Sequence, residues 1–577
     1  MDYQTFLALL TTAVLYYRYD EFNPAQEVKN QSNDELKKEY DFIIVGAGSA
    51  GSVMANRLTE IPEWNVLLFE AGGEETIESQ TPFLAVNVWG GPLDWNYTTT
   101  YKSLNCLEKA SGMCFWPRGK VMGGTSSINS QIYLRGTRQD HNNWAALGNV
   151  GWSYEDILPY YKKSEDSLVP SGNDAQFHGY KGYQPISPIP YRSVISGAFI
   201  EAGKELGYKE TDLNGANDVG FMRVQTFGKN GTRYSTNKAF LKPIRSRKNL
   251  SVAKRALVTR IIFEGKRAVG VEFVRDGQKR RINVKKEVIV SGGVINSPQL
   301  LMLSGIGPRE HLQSFNIPVI ADLPVGMNLQ DHANTGLMFS VDRNAAPTEN
   351  EVYSEQSIID YAQNDRGLLT TPTVNEAIAG IDTKGSPNSQ SRNLELTFNS
   401  INTNLDDNVT SWAVMVSNLV PKSRGRISLV SSDPFQKPRI DPNYFGDPDD
   451  YQIALEGQRF LYKLSQTKAF QKYNSKLIMS SYSACTNETY PSDGFFLCII
   501  KKYSKTAFHP VGSCKMGPNP GDSVVDPRLR VHKLKNVRVI DASIMPLVTK
   551  SNTNAPTIMI GEKGADLVKQ DHGKLLI

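Results

Sequence analysis

Residues 40–58, YDFIIVGAGSAGSVMANRL, decide the fold class of this chain. They begin with an apolar run, residues 42–45, that is short enough for a buried parallel strand. Gly46, Gly48 and Gly51 follow in the pattern G-x-G-x-x-G, and the residues after them are typical of a helix. In such a unit the first glycine makes a tight turn, the second lets the backbone approach a pyrophosphate, and the third packs the helix on the strand. The stretch therefore predicts a Rossmann-like α/β domain.

A second apolar segment, residues 65–69, supports this interpretation because it ends in an acidic residue, Glu70. Glu70 follows Gly51 by about 20 residues, the distance at which a carboxylate can hydrogen-bond a ribose hydroxyl. The free amides at the helix N-terminus would bind the phosphates. FAD and NAD both fit this pattern, and a glycine-rich turn without a ligand is the alternative. The predicted cofactor contacts in this unit are Gly46, Gly48, Ser49, Gly51, Glu70 and Ala71.

The size and charge of the chain limit its class. Its 577 residues exceed what one hydrophobic core usually supports, so we expect two domains. The net charge is only +5, and the basic stretches at residues 245–248 and 278–281 lack interleaved aromatic residues, so we expect no nucleic-acid partner. The apolar segment at residues 6–17 is shorter than the about 20 residues of a transmembrane helix, so we expect no membrane span. Its length is typical of a secretory signal core, although no basic residue precedes it.

Cysteines and glycosylation sequons favour a secreted glycoprotein. Cys106 lies near Cys114 and Cys485 lies near Cys498, so we expect two local disulfides and an unpaired Cys514. Five unrelated buried thiols in a cytosolic protein are the alternative. Sequons of the form N-x-S/T begin at Asn30, Asn96, Asn230, Asn249, Asn408 and Asn487. We therefore expect an extracellular protein, and the sequence leaves open whether the N-terminal segment is cleaved.

Several longer segments resemble one enzyme family. Residues 118–136, RGKVMGGTSSINSQIYLRG, are similar to the first signature of the glucose-methanol-choline (GMC) oxidoreductases, and residues 292–307 are similar to the second, from which they depart at Val294. Other family-like segments are residues 325–332, 509–517 and 537–546. The resemblance covers residues 40–568, and the order of segments is most similar to the insect branch that contains quinone-dependent glucose dehydrogenases and salicyl alcohol oxidases.

The resemblance implies FAD as the cofactor. Residues 123–126 are two glycines followed by two small residues with hydroxyl groups, and such a run suits a flat polar ring lying against backbone amides. Some family members attach FAD through a histidine just before the signature asparagine, but Ile128 occupies that position here, so we expect FAD to be dissociable. The further cofactor contacts that the resemblance implies are Arg118, Val121, Gly123, Gly124, Thr125, Ser126, Asn129, Val258, Asp541 and Ala542.

The stretch FHPVGSCKMG, residues 508–517, carries the candidate catalytic base. A metal site is not expected, because the seven histidines are scattered and the chain has no C-x-x-C pattern. The resemblance instead implies that His509 faces the flavin and pairs with Asn552, or with Asn554 if the loop has shifted. A neutral imidazole, with a pKa of about 6.5, can take the hydroxyl proton of an alcohol, and an amide can stabilise the developing alkoxide. A core histidine bonded to backbone groups is the alternative.

The predicted architecture is α/β, with a discontinuous Rossmann-like FAD-binding domain and a second domain built on an antiparallel sheet with helices. Alternating segments at residues 393–398, 412–416 and 426–430 predict strands that form the floor over the flavin, and residues 449–466 predict an amphipathic helix. The predicted divisions are a leader and linker at 1–38, FAD-binding parts at 39–340 and 506–577, and a substrate-binding part at 341–505.

The predicted activity is oxidation of the CH–OH group of a small alcohol by hydride transfer to flavin N5, with electrons passing to oxygen or a quinone. Ala507 and Phe508 are the side chains expected to influence that acceptor. A GMC-type hydroxynitrile lyase with a non-redox flavin is the alternative, and a flavin-stabilised binding protein is a third possibility. Sugars, aromatic alcohols, terpenols and steroids all remain open as substrates, as does the oligomeric state.

Overall fold

Two sheets of seven strands each organise the computed structural model, which describes residues 1–100, 112–170, 172–342, 344–385, 387–400 and 410–575. The strands of the first sheet lie in the order Leu250–Ala253, Val66–Phe69, Glu39–Val45, Gln278–Val290, Arg267–Arg275 and Leu257–Glu264, with Val537–Val539 also paired to Gln278–Val290. The first four strands in this order pair in parallel. The fourth strand, Gln278–Val290, also begins an antiparallel meander with the fifth and sixth.

The first sheet joins distant parts of the chain. Val45 lies opposite Val290, and Val290 in turn lies opposite Val539, so a C-terminal strand completes the sheet begun at residue 39. The residues of Val66–Phe69 are all buried, because helices and loops cover both faces of the sheet. This arrangement confirms the predicted discontinuous, Rossmann-like α/β fold.

The second sheet is antiparallel throughout. Its strands lie in the order Lys476–Leu477, Ala333–Ser340, Ser411–Asn418, Leu394–Asn399, Asn375–Ile381 and Gly220–Arg223, and Lys505–Thr506 also pairs with Ala333–Ser340. Its apolar face, including Leu394, Leu396 and Phe398, packs into a second core. The helices Val194–Glu205, Asp449–Ser465 and Asp493–Tyr503 contribute the other side of that core.

The sheets do not follow the predicted division at residue 340. Gly220–Arg223 and Ala333–Ser340 were assigned to the FAD-binding part, but both belong to the second sheet. The predicted floor strand beginning at residue 426 is also different, because Arg426–Ser428 pairs with Arg439–Asp441 in a separate small sheet. Sheet membership depends on pairing partners far away in sequence, which local alternation cannot specify.

The segment predicted as a leader and linker packs on the rest of the chain. In the helix Tyr3–Tyr17, the side chains of Phe6, Leu10 and Val14 are fully buried in a cluster that includes Tyr361. Arg18, also buried, donates hydrogen bonds to the carbonyl of Asn230 and forms an ion pair with Glu21. Within the described ranges, no helix combines the length and the apolar character needed to cross a membrane.

The cysteines follow the predicted pattern where the structure describes them. Cys485 and Cys498 form a disulfide, and Cys514 is a buried free thiol. The predicted partner of Cys114, Cys106, lies outside the described residues, as does the sequon at Asn408. 

The other helices are mostly short and connect these layers. They are Tyr19–Phe22, Ser49–Leu58, Ile77–Gln80, Arg138–Ala146, Tyr154–Ser164, Gly293–Leu303, Arg309–Gln313, Glu349–Val352, Glu355–Asn364, Lys468–Gln471 and Asn554–Asp571. The remaining strands are Tyr97–Thr98, Phe115–Trp116, Glu165–Ser167, Gln184–Pro188, Gln225–Thr226, Gly228–Lys229 and Thr232–Arg233.

Candidate active site

A cavity of about 880 Å³ is lined by residues of both sheets and of the C-terminal segment. It brings together most of the residues that the sequence singled out. Those that line it are Gly46, Gly48, Ser49, Glu70, Ala71, Arg118, Gly124, Thr125, Asn129, Val258, His509, Asp541, Ala542 and Asn552.

The glycine loop is built for close backbone approach. A Cβ atom on Gly51 would lie 1.9 Å from the carbonyl oxygen of Gly46, so the helix could not pack on the turn with any larger residue. A Cβ atom on Gly124 would lie 2.7 Å from the Cα atom of Gly48. The two glycine segments therefore leave a cradle at the cavity wall that side chains would fill.

Two helices begin at this wall. Ser49–Leu58 and Asn554–Asp571 both start at residues that line the cavity, and neither start has a side-chain cap among the described residues. Ser49 Oγ donates a hydrogen bond of 2.6 Å to Asn554 Oδ1, which holds the two starts together. Uncapped helix N-termini present free amides and a positive dipole end, the features that bind a pyrophosphate.

Glu70, the predicted ribose contact, lines the cavity. It directly follows the strand Val66–Phe69, and its carboxylate accepts hydrogen bonds from the amides of Ala47 (3.0 Å) and Gly72 (2.8 Å). Burial raises the pKa of Glu70 to about 7, although these amides oppose the shift. The cradle, the helix starts and this carboxylate together fit a dinucleotide cofactor.

Four predicted cofactor contacts do not line the cavity: Gly51, Val121, Gly123 and Ser126. Gly51 allows the helix to pack closely on the turn at Gly46. The carbonyl of Gly123 accepts a hydrogen bond from Ser126 Oγ (2.6 Å), and Val121 pairs with Gly73 behind the wall. These residues shape the cradle, and their direct contact with a cofactor stays a prediction.

His509 and Asn552 meet at the cavity. His509 follows the short strand Lys505–Thr506, and Asn552 precedes the helix Asn554–Asp571. Asn552 Nδ2 lies 3.0 Å from His509 Nε2, whereas the alternative partner, Asn554, bonds to Ser49 instead. Asn552 Oδ1 is buried and has no hydrogen-bond partner within the described part of the chain.

The surroundings of His509 keep its imidazole neutral. Burial, together with the nearby positive charge of Arg118, lowers the pKa of His509 to about 3. Since an amide nitrogen can only donate, Nε2 accepts from Asn552 and carries no proton. The ring proton is therefore on Nδ1, which lies 3.1 Å from Nδ1 of His332 and donates to it.

Asp331 fixes the backbone of this histidine. Its carboxylate accepts hydrogen bonds from the amide of His509 (2.8 Å), from Thr506 Oγ1 (2.6 Å) and from the hydroxyl of Tyr444. Burial raises the pKa of Asp331 to about 6 despite these donors. Sequence reasoning assigned no role to Asp331 or His332, although both end the family-like segment at residues 325–332, which was the available signal.

The loop that carries Asn552 is held from two sides. Arg392 Nε donates to the carbonyl of Lys550 (2.8 Å), and the carboxylate of Asp140 accepts from the amide of Lys550 (2.8 Å). Both Arg392 and Asp140 are buried. Sequence reasoning did not find them, because they reach the loop from distant segments.

The polar face of the second sheet forms another part of the wall. Its lining residues are Asn334, Asn375, Glu395, Thr397, Asn399 and Ser417. Alternation in sequence predicted the strands and a polar face, and the structure shows that this face points into the cavity. The arrangement can hold a polar substrate opposite a neutral imidazole.

Comparison with known proteins is consistent with this geometry. Two family models described as GMC oxidoreductase match residues 40–334 and 421–561. "Glucose dehydrogenase [FAD, quinone]" of Drosophila pseudoobscura pseudoobscura is 40% identical over 96% of this chain and 90% of its own length. "Alcohol dehydrogenase [acceptor]" of Pseudomonas putida is 35% identical over 92% of this chain and 95% of its own length.

Solved structures have the same fold. Formate oxidase of Aspergillus oryzae superimposes with a TM-score of 0.82 at 26% identity, covering 93% of this chain and 99% of its own. Pyridoxine 4-oxidase from "Mesorbium loti" gives a TM-score of 0.81 at 27% identity, covering 93% of this chain and 100% of its own. As its motifs implied, the chain belongs to the GMC oxidoreductase family.

Proposed function

We propose that this protein oxidises the CH–OH group of a small alcohol, with FAD as cofactor and His509 as the general base. The observation that carries the proposal is the contact between the His509 imidazole and the Asn552 amide in the cavity that the glycine loop also lines. A base that is unprotonated near neutral pH can accept the hydroxyl proton directly.

The residues of the cavity fit FAD. The uncapped helix starts suit the pyrophosphate and Glu70 suits a ribose, while the wall formed by Gly124, Thr125 and Ala542 suits a flat ring. When bound there, FAD would supply the hydride acceptor and the route for electrons to oxygen or a quinone. Ile128 lines the cavity with a side chain that cannot form a covalent link, which supports a dissociable cofactor.

His509 and Asn552 have different roles toward the substrate hydroxyl group. A bound alcohol would replace the Asn552 bond to Nε2: its hydroxyl would give its proton to Nε2, and the released amide Nδ2 would donate to its oxygen. The Nδ1–H of His509 stays donated to His332, which keeps the base in the correct tautomer. Asp331 and Arg392 hold the two loops in register for this contact.

The electron acceptor and the location of the protein are also proposals. Relatives named "Glucose dehydrogenase [FAD, quinone]" and "Oxygen-dependent choline dehydrogenase" support a quinone or oxygen as acceptor. Phe508 lines the cavity and packs against Trp89 with ring centroids 5.1 Å apart, so it can restrict access. The Cys485–Cys498 disulfide supports secretion, since disulfides persist in oxidising compartments.

Replacing the proposed base tests the function. His509→Ala should retain FAD but slow anaerobic flavin reduction by glucose or primary alcohols at least about a hundredfold, the usual scale for loss of a general base. Stopped-flow flavin absorbance measures that rate, and trichloroacetic acid should release the flavin from both proteins.

A matched control uses a second partly buried histidine. His532 bonds to Ser523 and the carbonyl of Gly517 and does not line the cavity, so His532→Ala should reduce flavin at nearly the wild-type rate. Near-normal reduction in His509→Ala would overturn the assignment of the base.

A further inference from the structure

Three polar residues form a row across the second sheet at the cavity. Ser417 lies directly opposite Asn334 on one neighbouring strand and opposite Glu395 on the other. Ser417 Oγ donates to Asn334 Oδ1, and all three residues line the same cavity as His509. This polar row, Asn334–Ser417–Glu395, takes no part in the chemistry proposed above.

Glu395 is the unusual member of the row. Glu395 is only 2% exposed, yet its carboxylate oxygen Oε2 has no hydrogen-bond partner within the described part of the chain. The other oxygen, Oε1, accepts a single bond of 3.2 Å from Thr397 Oγ1. A buried carboxylate oxygen without a donor is costly, so a donor supplied from the cavity would stabilise it.

Arg392 does not donate a hydrogen bond to the free oxygen of Glu395. Arg392 is the positive charge that acts on Glu395, and burial still raises the pKa of this carboxyl. The guanidinium of Arg392 donates to the carbonyls of Lys550 (2.8 Å), Arg135 (3.1 Å) and Asp218 (3.4 Å). Its position is therefore fixed by these backbone groups, and the free oxygen of Glu395 is left for a ligand.

We propose that Glu395 determines substrate specificity by accepting a hydrogen bond from a second hydroxyl group, remote from the carbon that is oxidised. The proposal rests on the proposed function and narrows it to polyhydroxylated alcohols. The neighbouring Asn334, Ser417 and Thr397 can both donate and accept, as a polyol requires. A substrate without the remote hydroxyl leaves the carboxylate unpaired, and sites built for a hydroxyl discriminate strongly against such analogues.

A cationic substrate is the competing occupant of the row. Aromatic faces usually surround quaternary ammonium groups, whereas the next pair along these strands that lines the cavity is Thr397 and Met415. Arg392, close enough to affect Glu395, also opposes a second positive charge. A hydroxyl group is therefore favoured over an ammonium group.

The test compares substrates that differ only in remote hydroxyls. For the wild-type holoenzyme, kcat/KM should be at least about tenfold higher for glycerol than for 1-propanol, and glucose should also be oxidised. Glu395→Gln, which keeps the side-chain shape, should lower kcat/KM for glycerol and glucose about tenfold, mainly through KM, and leave 1-propanol within about twofold.

Two further variants keep the test decisive. Glu376→Gln alters another buried glutamate of the same sheet, one that bonds to the amide of Ser193 and does not line the cavity, so it should leave the glycerol to 1-propanol ratio unchanged. If Glu395→Gln does not fold, Ser417→Ala, a smaller change in the same row, should lower the same ratio about threefold.

The outcomes separate this proposal from the proposed function. Equal loss on all alcohols, or a wild-type enzyme that prefers 1-propanol, overturns the role of Glu395 while flavin reduction still supports alcohol oxidation. Selective loss of choline oxidation in Glu395→Gln identifies a cation site instead. Failure of every alcohol to reduce the flavin contradicts the proposed function itself.

Discussion

The two seven-stranded sheets meet the same cavity with opposite designs. In the first sheet, strands such as Val66–Phe69 are buried on both faces, and ligand contacts come from the loops and helix starts at their ends. In the second sheet, Leu396 faces a core whereas its neighbours Glu395 and Thr397 face the cavity. One sheet therefore presents the ends of its strands to the cavity, and the other presents one of its faces.

In the proposed function, this difference separates the groups that hold the cofactor from those that select the substrate. Contacts made by backbone amides at strand ends depend on tight packing, so they permit little change in sequence. Side chains on a cavity-facing sheet surface can change without disturbing the opposite, core-facing layer. We therefore expect substitutions in the first sheet's turn to abolish the fold or cofactor binding, and substitutions on the polar face to alter specificity.

The largest effect is expected at the turn of the first sheet. In Gly51→Ala the new Cβ would lie 1.9 Å from the Gly46 carbonyl oxygen, so the helix and turn must separate. We expect more than about 4 kcal/mol of destabilisation, with loss of bound FAD measured by flavin absorbance. Gly265→Ala, in an open hairpin turn with φ +58°, should cost about 1–2 kcal/mol and retain FAD. Similar losses at both positions would contradict the role of close packing.

The two faces of the second sheet can be compared directly. Leu396→Ala removes a fully buried side chain from the core and should cost about 2–5 kcal/mol. Thr397→Val, on the next residue, keeps the volume but removes the hydroxyl that bonds to the buried Glu395 carboxylate, so it should cost about 1–2 kcal/mol while KM for glycerol rises. Chemical denaturation and steady-state kinetics measure these effects, and equal destabilisation would show that the faces are not independent.

The first sheet's site was accessible from the sequence because its signals are local. Gly46, Gly48 and Gly51 lie within six positions, and Glu70 ends the next strand, so spacing alone predicted their association. The pairing of His509 with Asn552 required the family resemblance, since the two residues lie in separate loops. The structure then distinguished Asn552 from Asn554 by a hydrogen bond.

The rest of the site depends on contacts that no local pattern contains. His332 reaches His509 across 177 positions, and Asn334 meets Ser417 across 83 positions. The strand Ala333–Ser340 lies within the residues assigned to the FAD-binding part, but it pairs with Ser411–Asn418 of the second sheet. Physical chemistry predicted a polar strand face, but only the tertiary arrangement shows which cavity that face lines.

A smaller, pH-dependent effect is expected at a buried cluster of charged residues around His178. Arg135 forms an ion pair with Glu165, and its carbonyl accepts a hydrogen bond from the guanidinium of Arg392. Arg392 also donates to the loop that carries Asn552. His178 lies between Glu165 (Nδ1 to Oε1, 2.8 Å) and Asp212 (Nε2 to Oδ2, 3.0 Å). Burial alone would lower the pKa of His178, but its bonds to Asp212 and Glu165 raise the pKa to about 9.

This shift predicts the direction of the pH dependence. Because the folded-state pKa of His178 exceeds the unfolded value of about 6.5, its stabilisation is complete below about pH 6.5 and is lost as the pH rises through about 9. The difference in unfolding free energy between wild type and His178→Gln should therefore shrink by up to about 3 kcal/mol over that range. Burial lowers the pKa of His311, so His311→Gln should give a constant difference over the same range in denaturation measurements. A constant difference for His178→Gln as well would mean that the two carboxylates hold a neutral ring.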